Sequence, residues 1–88
     1  MQAKVALTFD NDADSELFYE LKAARLELAK EQNVPPYVIF HDRTLRELAI
    51  QKPASRFALS GISGVGEAKM ERYGDIFLQV IADHGVGR

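Results

Sequence analysis

The stretch best suited to chemistry is Gly61-Ile62-Ser63-Gly64-Val65-Gly66-Glu67-Ala68-Lys69-Met70-Glu71-Arg72-Tyr73-Gly74. Glycine at 61, 64 and 66 permits positive φ and a close approach of backbone to another surface. Ile62 and Val65 can anchor the turn in a core. Good helix formers follow Gly66, so the turn ends at a helix N-terminus, whose unpaired N–H groups and partial positive charge suit a phosphate. Lys69 and Arg72, three apart on that helix, would extend the contact. Two nucleotide motifs are excluded. Gly61 and Gly66 match the first half of a P-loop, but Glu67-Ala68 stand where Lys and Ser/Thr are required. Gly64 and Gly66 are followed by Lys69 where a dinucleotide fingerprint needs a third glycine, and no strand pattern leads in. Two readings stay open: a turn resting on a nucleic-acid backbone, or glycines that only let two helices pack closely.

Tyr37, in Val34-Pro35-Pro36-Tyr37-Val38-Ile39-Phe40, is the second candidate. A phenol on a proline-stiffened loop loses little entropy on binding, and an aromatic face stacks on any unpaired base at roughly 1–3 kcal/mol. The alternative is a core or rim tyrosine whose hydroxyl bonds a neighbouring helix. Lys22, Arg25, Lys52, Arg56, Lys69 and Arg72 are the basic candidates, with Lys22 and Arg25 sharing a helix face. Their alternative is a solvated surface paired with Glu20, Glu67 and Glu71. Catalysis finds no support. His41 and His84 lie far apart with no cluster at metal-ligand spacing, and no G-x-S-x-G is present.

Composition narrows the class. Eighty-eight residues suffice for one domain with a modest core. A hydrophobic content of 47% and a charged content of 27% are ordinary for a globular chain. No apolar run approaches the ~20 residues of a transmembrane helix, and no targeting signal is visible. Without cysteine, disulfides and thiolate metal sites are excluded, which is compatible with an intracellular setting. The net charge of −2 is uneven: residues 1–16 carry −3 and the remainder +1. A nearly neutral body gives no strong electrostatic footprint for nucleic acid.

These residues need elements to hold them. Residues 1–13, with the strand-like run Val5-Ala6-Leu7-Thr8-Phe9, read as a linker or border segment. Asp14-Ser15 offers a cap for a helix to about Gln32, with Leu17, Leu21, Ala24 and Leu28 as its apolar stripe. Asn33 stops it. The two prolines make 34–40 an ordered loop over the core, with Val34, Val38 or Ile39, and Phe40 inward. Asp42 opens a second helix, which Gln51-Lys52-Pro53 breaks. Ser55 caps a short third helix carrying Phe57, Ala58 and Leu59. A fourth covers Glu67 to about Tyr73, ended or bent by Gly74, and a fifth spans Asp75 to His84 with Ile76, Phe77, Val80 and Ile81 on one face. Residues 85–88 are a tail. The expectation is an all-α bundle of five short helices with a helix-hairpin-helix-like glycine turn.

Three motifs in order carry a family resemblance: Asn33-Val34-Pro35-Pro36-Tyr37-Val38-Ile39-Phe40, then Asp42-x-Thr44-Leu45-Arg46-Glu47-Leu48-Ala49, then Ile62-Ser63-Gly64-Val65-Gly66-Glu67-Ala68-Lys69-x-Glu71-Arg72-Tyr73-Gly74. Over about residues 15–84 the chain resembles the HRDC domain, the helicase-and-RNase-D C-terminal module of RecQ-type DNA helicases. The Val-Pro-Pro-Tyr-Val-Ile-Phe form looks like bacterial RecQ rather than ribonuclease D. The resemblance implies a five-helix accessory domain, without catalysis of its own, in a cytoplasmic bacterial helicase of DNA repair and recombination. The motor, with its ATP and Mg, would lie elsewhere in a longer chain. It also implies weak binding of single-stranded or branched DNA, through Tyr37, Lys22, Arg25, Lys52 and Arg56. To these the residue reading adds Gly64, Gly66 and Lys69. The rival implication is a module docking on its own helicase core or on other proteins, without DNA. Departures from the family pattern are Ala23 and Leu26, which interrupt a basic ladder, Glu20 and Glu27, which dilute it, His41 at a capping position, and Arg56-Phe57.

Overall fold

The computed structural model describes residues 12–86, which form four α-helices and one 3-10 turn, with no strand among the described residues. The expected linker and its strand-like run fall almost wholly outside them. The first helix, α1 (Asp12–Gln32), begins two residues ahead of the expected cap. Asp14 lies inside it, buried and ion-paired to Lys52. Leu17 and Leu21 are fully buried, while Ala24 and Leu28 pack on the core from its edge. The stop at Asn33 is a Schellman motif: Asn33 takes φ 59°, its N–H donates to Lys30, and the Val34 N–H donates to Ala29.

The proline segment folds into a 3-10 turn, Pro36–Val38, with Pro36 at the position where a missing N–H costs nothing. Ile39 and Phe40 enter the core and Val38 faces solvent, which decides between the two expected registers. Helix α2 (Asp42–Gln51) follows and ends at Lys52, a left-handed residue just ahead of Pro53. Ser55 caps α3 (Arg56–Ser60) by accepting from the Ala58 N–H at 3.1 Å.

The fourth and fifth expected helices are one. Helix α4 (Glu67–Val86) runs through Gly74 without a break. A Cβ at Gly74 would stand 2.8 Å from Met70 Sδ and 3.5 Å from Leu59 Cδ2. The crowding is with the flexible Met70 side chain of α4 itself, Leu59 of α3 lies at ordinary contact distance, and Gly74 does not end a helix. A glycine inside a helix costs about 1 kcal/mol relative to Ala, which the continuous helix tolerates. Helix α1 packs on α2 and α4, and α3 on α4. Phe40 sits among them, edge-on to Phe77 at 5.1 Å and to Tyr73 at 6.1 Å. No described helix is long and apolar enough to cross a membrane.

Candidate nucleic-acid interface

Loop 33–41 is fastened from beneath. Arg25, expected on the surface, is buried. Its Nη1 donates to the Phe40 carbonyl at 2.8 Å and its Nη2 meets the Asp42 carboxylate at 2.7 Å. One guanidinium thus ties α1 to both the end of the loop and the start of α2. Hydrogen bonds to a charged donor are the stronger kind. The Asp42 carboxyl is held below its ordinary range, first by the hydrogen bond from Arg25 and further by the positive charges of Arg25, Lys22 and Arg46.

Above this fastening Tyr37 stands 59% exposed on the 3-10 turn. Its ring lies nearly parallel to that of His41, with centroids 6.1 Å apart and planes 16° apart. Both rings face solvent, and prolines 35 and 36 restrict the backbone beneath them. Three cations reach the adjoining residues. Lys22 and Arg46 act on Asp42, and Lys69 Nζ lies 5.7 Å from the Phe40 ring centroid. None of these three forms an ion pair among the described residues.

The other expected contacts go elsewhere. Lys52 is ion-paired to buried Asp14 on α1. Arg56 makes a two-pronged contact with Asp75 on α4, at 3.0 and 2.8 Å, in full solvent. That contact raises the Arg56 pKa and lowers that of Asp75. Among the described residues, the carboxylates ion-paired to the basic candidates are therefore Asp42, Asp14 and Asp75. Of Glu20, Glu67 and Glu71 only Glu71 acts on one of them, through its charge on Arg56. Glu20 instead faces His84, whose Nδ1 is 3.3 Å from both of its oxygens.

The glycine turn is pinned to the core by two of its side chains, while Gly61, Ser63, Gly64 and Gly66 are themselves exposed. Ile62 and Val65 are buried, and Thr44 Oγ1 of α2 donates to the Ser63 carbonyl at 3.2 Å. Gly64 has φ +95°, and a side chain there would collide with the Thr44 hydroxyl. Gly66 has ordinary φ and open space around it, so only Gly64 needs to be glycine. Arg72 lies 6.0 Å from the Tyr73 ring, and the Tyr73 hydroxyl donates to Gln32 at 3.0 Å.

The structure thus brings Tyr37, Lys22, Arg25 and Lys69 to one loop. The contacts of Lys52 and Arg56 lead to α1 and α4 instead. Two residues at the loop were missing from the sequence-based set. Arg46 carries a legible signal, four residues after Asp42 on one helix. His41 has none, because its parallel placement depends on the 3-10 turn.

Comparison with known proteins bears on this geometry. The family model of the HRDC domain matches residues 14–81. The chain is 46% identical over 78 residues to the ATP-dependent DNA helicase RecQ of Bacillus subtilis, covering 89% of this chain and 13% of that protein. It is 49% identical over 70 residues to the ATP-dependent DNA helicase UvrD2 of Mycobacterium tuberculosis, covering 80% and 10%. A solved structure, D. radiodurans RecQ HRDC domain 3, superposes with a TM-score of 0.75 at 34% identity, covering 77% of this chain and 90% of that one. The chain therefore spans only about an eighth or less of these helicases. The family match over most of the chain, with the shared fold, shows that this chain belongs to the HRDC domain family.

Proposed function

We propose that this chain is an auxiliary module that holds single-stranded or branched DNA weakly for a helicase. ATP and its Mg belong to the motor in this reading, and the module supplies grip. One observation carries it: an exposed tyrosine on a proline-stiffened turn, fastened by a buried arginine and adjoined by cations that form no ion pair among the described residues. An unpaired base stacks on the Tyr37 face, with His41 bracing the ring from its other side. Lys22, Arg46 and Lys69 neutralise nearby phosphates, and Arg25 positions the loop without touching DNA. Arg56 and Lys52 play no part in this grip. A docking role on the helicase core finds support in one feature, Phe57, which is 89% exposed on α3.

The test is titration with oligothymidine, followed by NMR. Tyr37→Ala is expected to weaken binding about five-fold or more, since ~1 kcal/mol is the low end for one stacked base. Tyr37→Phe keeps most of the affinity, because stacking uses the ring, and both variants keep the parent's thermal midpoint. Unchanged affinity in folded Tyr37→Ala, or shifts confined to residues around Phe57, would give the module to protein docking.

A further inference from the structure

The solvent face of α1 holds a feature that the Tyr37 site draws on only through Lys22. Tyr19, Lys22, Ala23 and Leu26 recur at helical spacing, so they form one outward stripe. With Arg25 and Pro36 they line an open groove of about 320 Å³ between α1 and the 3-10 turn. Tyr19 is 62% exposed and Leu26 44%, an unusual placement for two large apolar side chains on a helix whose opposite face already fills the core. The Tyr19 ring is braced edge-on against Phe18, itself buried, with centroids 5.4 Å apart. Lys22 Nζ sits 5.7 Å from the centre of the Tyr19 ring and 5.3 Å from that of Phe18. Such a cation is attracted to both rings.

We infer that this groove is a second nucleobase subsite, in which Tyr19 stacks the base of a neighbouring nucleotide and Lys22 meets its phosphate. The inference rests on the DNA-binding reading above. Two features select a nucleic-acid strand as the occupant. Among the described residues no carboxylate lines the groove, and the accessible charge there, Lys22, is positive, which complements a phosphodiester and not an acid-poor apolar helix. The groove is also continuous with the Tyr37 site, because its far wall is Pro36, the residue before Tyr37. A strand stacked on Tyr37 meets the groove as it crosses the turn. Tyr19 arrives already braced, so little side-chain freedom is lost on stacking. Ala23, with a single methyl group, leaves the floor low enough for a flat ring.

The experiment uses the whole chain and oligothymidine. Tyr19→Ala is expected to lower affinity about five-fold or more while Tyr19→Phe retains it, the pattern of one stacked base. The chain has three tyrosines and no tryptophan. In Tyr37→Phe the remaining emission therefore comes from exposed Tyr19 and buried Tyr73, and added oligothymidine should quench the Tyr19 part. If Tyr37→Ala weakens binding but Tyr19→Ala does not, the second subsite is refuted and the Tyr37 reading stands. If the parent chain binds no oligothymidine, both are refuted. Shifts at Tyr19 and Leu26 that follow protein concentration without DNA would assign the groove to a second copy of the chain and overturn the inference.

Discussion

Loop 33–41 and turn 61–66 both join helices, and both read from sequence as places where DNA could rest. The structure holds them in different ways. In the loop, buried Arg25 holds the Phe40 carbonyl and Asp42, so the backbone is fixed from the core side and the Tyr37 and His41 rings are left to solvent. In the turn, Ile62 and Val65 are buried, Thr44 holds the Ser63 carbonyl, and Gly64 presses against Thr44. A connector anchored from below can present side chains outward. One pinned mainly by its own apolar side chains leaves backbone in solvent, here at Gly61, Ser63, Gly64 and Gly66. The same fold thus gives one connector exposed rings to present and the other exposed backbone.

The contrast is most directly broken at Arg25. Arg25→Ala strips the Phe40 carbonyl of its charged donor, and the expected loss of stability is about 1.5–3 kcal/mol by urea denaturation. Amide exchange at 37–41 should quicken as well. An unchanged midpoint would mean that the loop is not held in this way.

At the turn, Gly64→Ala is expected to destabilise by about 1–3 kcal/mol, because alanine must accept both the positive φ and the collision with Thr44. Gly66→Ala precedes the first residue of α4 and should cost under about 1 kcal/mol. Comparing the two thermal midpoints checks the order, and the reverse order would remove the packing account of Gly64. Affinity for oligothymidine, measured on folded protein, should stay unchanged in both if the turn makes no phosphate contact.

Salt sharpens the electrostatic half of the contrast. With about three phosphates neutralised, by Lys22, Arg46 and Lys69, log K against log salt should fall with a slope near −2 for a single strand. A slope near zero with real binding would leave stacking alone at the loop.

The smallest effect concerns Asp42. Its folded pKa is lowered from 3.8, so its contribution is present above that pH and is lost as pH falls through the lower folded value. The stability gap between the parent chain and Asp42→Asn should therefore narrow on going from pH 6 to pH 3. The change is small because the carboxylate is half exposed to screening solvent. A gap that widens on acidification would reverse the assigned sign.

Local chemistry made much of this molecule legible. The Leu17–Leu21–Ala24–Leu28 periodicity gave α1, Asn33 and Lys52-Pro53 marked two helix ends, and Ser55 marked a cap, because each depends on residues a few positions apart. The three ordered motifs were enough to point to the family, since they record a whole fold in linear order. What sequence could not supply was the partner across space. Gly74 reads as a break until Leu59 and Met70 are seen against it. Arg25 reads as a surface cation until the Phe40 carbonyl and Asp42 close on it, 15 and 17 residues away. Helical spacing says which residues share a face, but packing decides which face is buried. A charge buried with two partners then becomes a fastener, while Tyr37, on a turn too tight to bury it, stays in solvent.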